Sequence, residues 1–263
     1  MIAPAAAPIL LRLSATAAIL TLAAVAAALV LPDAYAVVPD QLRPGAWSQD
    51  MISAVVALAL LAVNARLRQG WEKGWLIWAG LIGYLIYAYG LYSFDHVMNL
   101  AYLLYLAVLS LSVFAALFFL RAFDPSALKS ALPRSLRLAV AGLFGFMVVL
   151  FGVMWLAQLF PAMSAGEPLP VQTILVLDLA FALPLVALTA ISLWRGYPLG
   201  DFLAIPMLMK VAVLGVSVFL GTLFAWAFFD GPFMPFDLAL YALMGLGPAA
   251  LIWPVWRGLR VTG

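Results

Sequence analysis

Apolar residues come in long unbroken runs separated by short polar breaks, and this rhythm repeats from one end of the chain to the other. About 20 consecutive apolar residues suffice for a helix to cross the hydrocarbon core of a bilayer. On that length the chain predicts spans near Leu13 to Leu31, Met51 to Ala65, Trp75 to Tyr92 and Val97 to Leu120. Four more follow near Leu138 to Phe160, Val171 to Trp194, Phe202 to Phe229 and Leu238 to Trp256. The second is short, because only the residues between Asp50 and Arg66 lack charge, and Arg66 is expected to snorkel. The predicted fold is all-α: a polytopic bundle of eight transmembrane helices forming a single domain over residues 1–263, with no soluble domain. An outer-membrane barrel would show alternating segments of about ten residues instead.

Charge gives the threading a direction. Arg66, Arg68, Lys73, Arg121, Lys129, Arg134, Arg137, Arg195, Arg257 and Arg260 fall on alternate breaks or the C-terminal tail, with Arg12 before the first span. The opposite breaks carry Asp33, Asp40, Asp50, Asp95, Glu167, Asp230 and Asp237, against Arg43 alone. By the positive-inside rule both termini are expected in the cytoplasm, with the chain in a cell inner membrane. Trp47, Trp71, Trp75, Trp194, Trp226, Trp253 and Trp256 lie near predicted span ends, where an interfacial aromatic belt would sit. The N-terminal stretch, with Arg12, an Ala/Leu-rich run and Ala34-Tyr35-Ala36, resembles a secretory signal peptide, and cleavage would leave seven spans. Its apolar run is longer than a usual signal core, which favours retention. The basic connection from Arg121 to Arg137 has room for at most one short interfacial helix, and the segment from Pro32 to Asp50 reads as irregular, broken by Pro39 and Pro44. Spans two to four and six to eight share a rhythm of turns, with Phe94-Asp95 and Phe236-Asp237 in matching places, a faint sign of a parallel repeat.

Composition removes several chemistries. Of the 263 residues 67% are hydrophobic and 9% charged, far from the roughly 25% charged of soluble domains. Absence of cysteine excludes disulfides, thiolate metal sites and cysteine nucleophiles. One histidine, His96, cannot make a bis-histidine haem or a multi-histidine metal centre, so no metal and no cofactor are expected. A net charge of +2 without a Lys/Arg run argues against nucleic acid. There is no Gly-rich phosphate loop, Gly-x-Ser-x-Gly elbow or His-Glu-x-x-His zinc motif, and no catalytic residue is assigned.

Two charges stand inside apolar runs. Asp178 falls roughly 10 Å deep in span six and Lys210 roughly 18 Å below the same surface in span seven, an axial gap of about 8 Å that an extended lysine nearly closes. Ionisable residues at such depth are functional candidates by default, although a buried pair can also serve only to lock two helices in register. Lys210, Leu214, Ser217 and Gly221 share a face, Ser217 and Gly221 being a small pair suited to close helix contact. Pro184 and Pro206 are expected to loosen the backbone beside the two charges. An outer polar cluster is predicted from Asp95, Asn99 and Tyr102 on one side of span four, with His96 and Tyr92 adjacent and Asp95 either capping the helix or drawing cations. Tyrosines 84, 87, 89, 92, 102 and 105 either line a polar pocket or belong to the belt and the packing.

The strings Val176-Leu177-Asp178-Leu179 and Leu199-Gly200-Asp201-Phe202 resemble the paired aspartate motifs of presenilin-type intramembrane proteases, and Pro248-Ala249-Ala250-Leu251 is similar to their proline-alanine-leucine motif. The resemblance implies an aspartic dyad, yet straight helices would put Asp178 and Asp201 about 20 Å apart, too far to share a proton. Lys210 invites comparison with the retinal lysine of rhodopsins, but that lysine stands in the last span. The expected function is transport of a proton, ion or small solute past Asp178 and Lys210. The alternative is a non-catalytic membrane subunit or assembly factor, and the third an intramembrane enzyme acting on lipid. Expected partners are the lipid bilayer, a small solute or ion, and a membrane protein or second copy.

Overall fold

The structure, a computed structural model, describes residues 1–31, 34–95 and 97–261. Asp33 and His96, both named above, lie outside the described residues. Eight helices among the described residues are long and apolar enough to cross a membrane. They are α1 (Ala7–Val30), α2 (Arg43–Arg68), α3 (Gly74–Phe94), α4 (Tyr102–Ala122), α5 (Arg134–Ala165), a composite span Gln172–Arg195, α8 (Pro198–Phe228) and α9 (Pro235–Gly258). The composite span is built from α6 (Gln172–Leu177), one π-helical turn (Asp178–Ala182) and α7 (Leu183–Arg195).

Helix boundaries correct the sequence reading in two places. The second span is long rather than short: a 3-10 turn at Asp40–Leu42 runs into α2, which starts at Arg43. Pro44 therefore opens this helix, since a proline in the first turn has no intrahelical N–H to lose. Asp50 then lies inside the helix at 6% exposure instead of in a polar break. The fourth span starts at Tyr102, five residues later than the hydropathy places it, because Asp95 caps the C-terminus of α3 and the described residues from there to Ala101 are not helical.

Arginine-rich connections gather at one end of the bundle. There the basic connection forms a 3-10 turn, Pro125–Ala127, and a strand β1 (Leu128–Ser130) that pairs antiparallel with β2 (Leu259–Val261). This small sheet replaces the interfacial helix expected of that connection. The N-terminal segment is tied to the same end by a bridge from Ile2 to Phe123 and by the Met1 amino group 3.5 Å from Glu72. Lys73 donates to the carbonyls of Trp256 and Leu259 and sits over the Trp256 ring, clamping the C-terminal strand.

Helices α3 and α8 are the most buried spans and pack side by side. One wall is built from α4, α1 and α2, and the other from α9, α5 and α7. Lipid is as apolar as leucine, so it supplies no hydrophobic drive to pair helices, and close approach depends on small residues. A Cβ placed on Gly80 would lie 2.6 Å from Met209 Cβ and 2.8 Å from the Pro206 carbonyl, and one on Gly215 would lie 2.4 Å from the Gly245 nitrogen. A Cβ on Gly221 would lie 3.0 Å from Ser48 Oγ and 3.1 Å from Gly45 Cα of α2, so the small pair on the Lys210 face makes a tight crossing. Leu29, Leu103, Val149 and Leu246 point outward and exposed, as lipid-facing side chains do. Trp75 does not join the aromatic belt: it is 3% exposed and packs against Trp78 and Phe119 in the core.

Candidate functional site

Asp178 and Lys210 meet through a tyrosine. The Asp178 carboxylate accepts from the Tyr87 hydroxyl at 2.9 Å through Oδ1 and from the Trp155 indole N–H at 2.9 Å through Oδ2. The Lys210 ammonium stands 4.2 Å from the centre of the Tyr87 ring. The two charges attract across this ring without an ion pair at contact distance. An aromatic face offers a cation a favourable quadrupole but no hydrogen-bond acceptor. Lys210, 8% exposed, makes no hydrogen bond among the described residues, which leaves its three ammonium donors unmatched there.

The local chain explains this placement. Pro184 lacks the N–H that would bond Ala180, and the ladder slips to a π register in which Leu183 N–H reaches the Asp178 carbonyl. The extra residue in that turn rotates Asp178 relative to α7. On α3, Gly80, Gly83, Tyr87 and Gly90 share one face. Gly80 lets α8 approach, while a Cβ on Gly83 would lie 3.9 Å from the Lys210 stem and one on Gly90 3.5 Å from Leu177. The sequence reading did not separate Tyr87 from its neighbouring tyrosines, and the glycine spacing around it is the signal that could have done so.

Lys210 and Tyr87 line a cavity of about 480 Å³ walled by α3, α8, α4 and the composite span. That volume is typical of small-molecule sites, about 300–1,000 Å³. Ile82, Ile86, Val113, Ala116, Leu177 and Leu185 make the rest of the lining strongly apolar. α4 and α7 both line the cavity and share few or no backbone contacts, so side chains rather than close helix packing bound the groove there. Phe94, Leu177 and Phe181 are shared with a second cavity of about 760 Å³ that also holds Asp95, Gln172 and Thr173 at the end away from the arginines. Toward the arginine-rich end the groove stops at Trp78, Phe119 and Phe202, with Phe202 stacked 4.2 Å from Phe123.

A second buried carboxylate escaped the sequence reading. Asp50 accepts from Tyr35 at 2.5 Å and from Tyr92 at 3.0 Å. Burial, reinforced by the Asp50 charge, pushes the Tyr35 phenol above its ordinary range and keeps it a donor. Asp201, the second aspartate of the protease resemblance, is 4% exposed and held by Arg137 at 2.8 and 2.5 Å. With Asp178 held by Tyr87 and Trp155 and Asp201 by Arg137, the two share no dyad.

Other predicted site residues scatter. Ser217 is buried beside the Tyr84 hydroxyl, which also contacts Ser53 at 3.2 Å, and so belongs to a polar seam on α2 rather than to the Lys210 cavity. Asp95, Asn99 and Tyr102 do not form a helix face, and α4 has no side-chain cap. Asn99 instead bridges the Ala34 carbonyl at 3.0 Å and the Tyr105 hydroxyl at 3.1 Å, while Tyr102 donates to the Ser93 carbonyl at 2.8 Å. Tyr92 joins Asp50, and Asp95 lines the outer cavity. No group of three or more metal-ligating side chains occurs among the described residues. No family model matches the chain, and no curated protein or solved structure is detectably similar to it.

Proposed function

We propose that this protein is a proton-coupled carrier of a small organic anion in a bacterial-type inner membrane, with both termini in the cytoplasm. The observation that carries this reading is Lys210, which lines a solute-sized cavity and whose ammonium has no hydrogen-bond acceptor among the described residues. A cation kept in apolar surroundings without hydrogen bonds is expensive. An arriving anion relieves that cost.

Charge balance then supplies the coupling. With Lys210 and Asp178 both ionised the empty site is neutral, and an anion adds one negative charge in a poorly solvated space. Neutrality returns if a proton arrives at Asp178, whose carboxylate is already held by Tyr87 and Trp155. Anion and proton thus move together as one neutral load. Access from the outer cavity, with an aromatic stop at Phe119 and Phe202, fits the outward-open member of an alternating cycle.

Octanesulfonate is a suitable probe, because its head stays charged at neutral pH and crosses lipid poorly unaided. In proteoliposomes it should acidify an entrapped pH dye through the wild-type protein, and Lys210→Met or Asp178→Asn should abolish the signal. Acidification no faster than in protein-free vesicles overturns the proposal. A stoichiometric membrane protein co-purifying with such inert material would move the reading to a subunit of a larger complex.

A further inference from the structure

The cavity is built for more than a compact anion. Its lining on α3 runs from Trp78 to Phe94, roughly 24 Å along the helix axis at 1.5 Å per residue. Along that length the lining side chains that carry a polar atom are Lys210, Tyr87 and Trp78, and the Tyr87 hydroxyl is already donated to Asp178. A small hydrophilic ion would leave most of this wall unsolvated. A hydrocarbon chain matches it, and only a terminal oxyanion is needed to satisfy the ammonium.

Geometry also gives the route. The helices lining the groove on this side, α4 and α7, share few or no backbone contacts, and the lining residues Val113 and Ala116 of α4, Phe181 of the π turn and Leu185 of α7 are apolar or small. These residues stand midway along membrane-spanning helices, at the level where an acyl chain is already dissolved. A ligand taking this path never has to bring its chain into water.

We infer that the solute of this site is a single-chain carboxylate amphiphile that slides in from the bilayer between α4 and α7, chain along α3 and carboxylate on Lys210. This rests on the reading of Lys210 as an anion site and deepens it. Acceptance of the carboxylate by the ammonium forms charge-assisted hydrogen bonds that a neutral or cationic head cannot make. Specificity therefore lies in the head, while the chain supplies contact.

Photolabelling of the intact protein in lipid nanodiscs tests this without requiring transport. A diazirine-bearing dodecanoate should attach to the facing stretches of α4 and α7. Excess dodecanoate should suppress that labelling at least tenfold, whereas dodecanol and dodecyltrimethylammonium should not. Lys210→Met should lose the labelling to a similar degree and Lys210→Arg should keep it. Equal competition by dodecanol, labelling undiminished in Lys210→Met, or attachment confined to the outer faces of α5 and α9 each overturns the inference. Groove labelling without vesicle acidification would uphold the ligand class and sink the carrier; octanesulfonate-driven acidification without groove labelling would do the reverse.

Discussion

Asp50, buried, and Asp178, half-buried, are two carboxylates set among helices, each held by a tyrosine hydroxyl and a second neutral donor, yet they differ in what surrounds them. Asp50 has both oxygens filled by Tyr35 and Tyr92, Gln49 beside it bonds the Ala88 carbonyl, and neither cavity reaches it. Asp178 faces a cation across the Tyr87 ring, and that cation opens onto a cavity with its donors unspent. A fully satisfied polar group fixes a fold, whereas an unsatisfied one beside empty space awaits a ligand. Donor pattern and residue type are shared by both carboxylates, so they do not distinguish a lock from a site. The unmatched donor does.

Removing the lock should produce the largest loss of stability. Asp50→Ala leaves the half-buried Tyr35 hydroxyl without its carboxylate acceptor, at about 1–3 kcal/mol, and leaves Tyr92 with the Ala46 carbonyl at 3.1 Å in place of a charged acceptor. Asp50→Asn should cost less than half as much, because the amide accepts from one hydroxyl and donates to the other. Thermal unfolding in detergent gives the comparison, and equal losses in the two variants would show that the hydroxyls are satisfied elsewhere.

Lys210→Met is the opposite case. It removes a desolvated charge that makes no hydrogen bond among the described residues and puts an apolar chain of similar volume in its place, so unfolding should be unchanged or harder by about 1–2 kcal/mol. Anion-driven acidification should vanish all the same. A destabilised variant would mean that Lys210 is held structurally by Asp178 across the ring, and the two regions would then be alike.

Matched tyrosine changes narrow the contrast further. Tyr87→Phe keeps the ring beneath the ammonium and deletes only the donor to Asp178, so about 1 kcal/mol of stability should go together with at least a tenfold slower acidification. Tyr92→Phe deletes the equivalent donor to Asp50 and should cost a similar amount while leaving acidification intact. Slowed acidification in both would tie the two carboxylates into one proton path.

Much of this was legible in the chain, and what was not has physical reasons. Eight apolar runs announce eight spans, because the hydrocarbon core tolerates little else. Asp178 and Lys210 stand out because charge there is rare. Asp50 did not, since charge at the edge of an apolar run is indistinguishable from a polar break until the helix is seen to begin seven residues earlier, at Arg43. Asp95, Asn99 and Tyr102 were misread for a related reason: hydropathy places a helix start only to within about a turn, and five residues of delay turn a shared face into a loop. Tyr87 was one of six nearby tyrosines and was not picked out from them, although the glycines on its own face could have marked it.

Ser217 carries the smallest expected effect and the finest discrimination. Its helical phase with Lys210 places it on the Lys210 face, but two turns separate them, and α3 and α2 divide that face between the cavity and the Tyr84 seam. Ser217→Ala therefore removes a neutral hydroxyl from a seam in which Tyr84 still has Ser53 at 3.2 Å and the Gln49 carbonyl at 3.3 Å. The loss should stay below about 1 kcal/mol, with acidification and photolabelling as in the wild type. Should Ser217→Ala weaken labelling while unfolding is unmoved, the ligand would have to reach past Lys210 toward the Tyr84 seam. The boundary between lock and site would then run through Tyr84 rather than between Tyr84 and Tyr87.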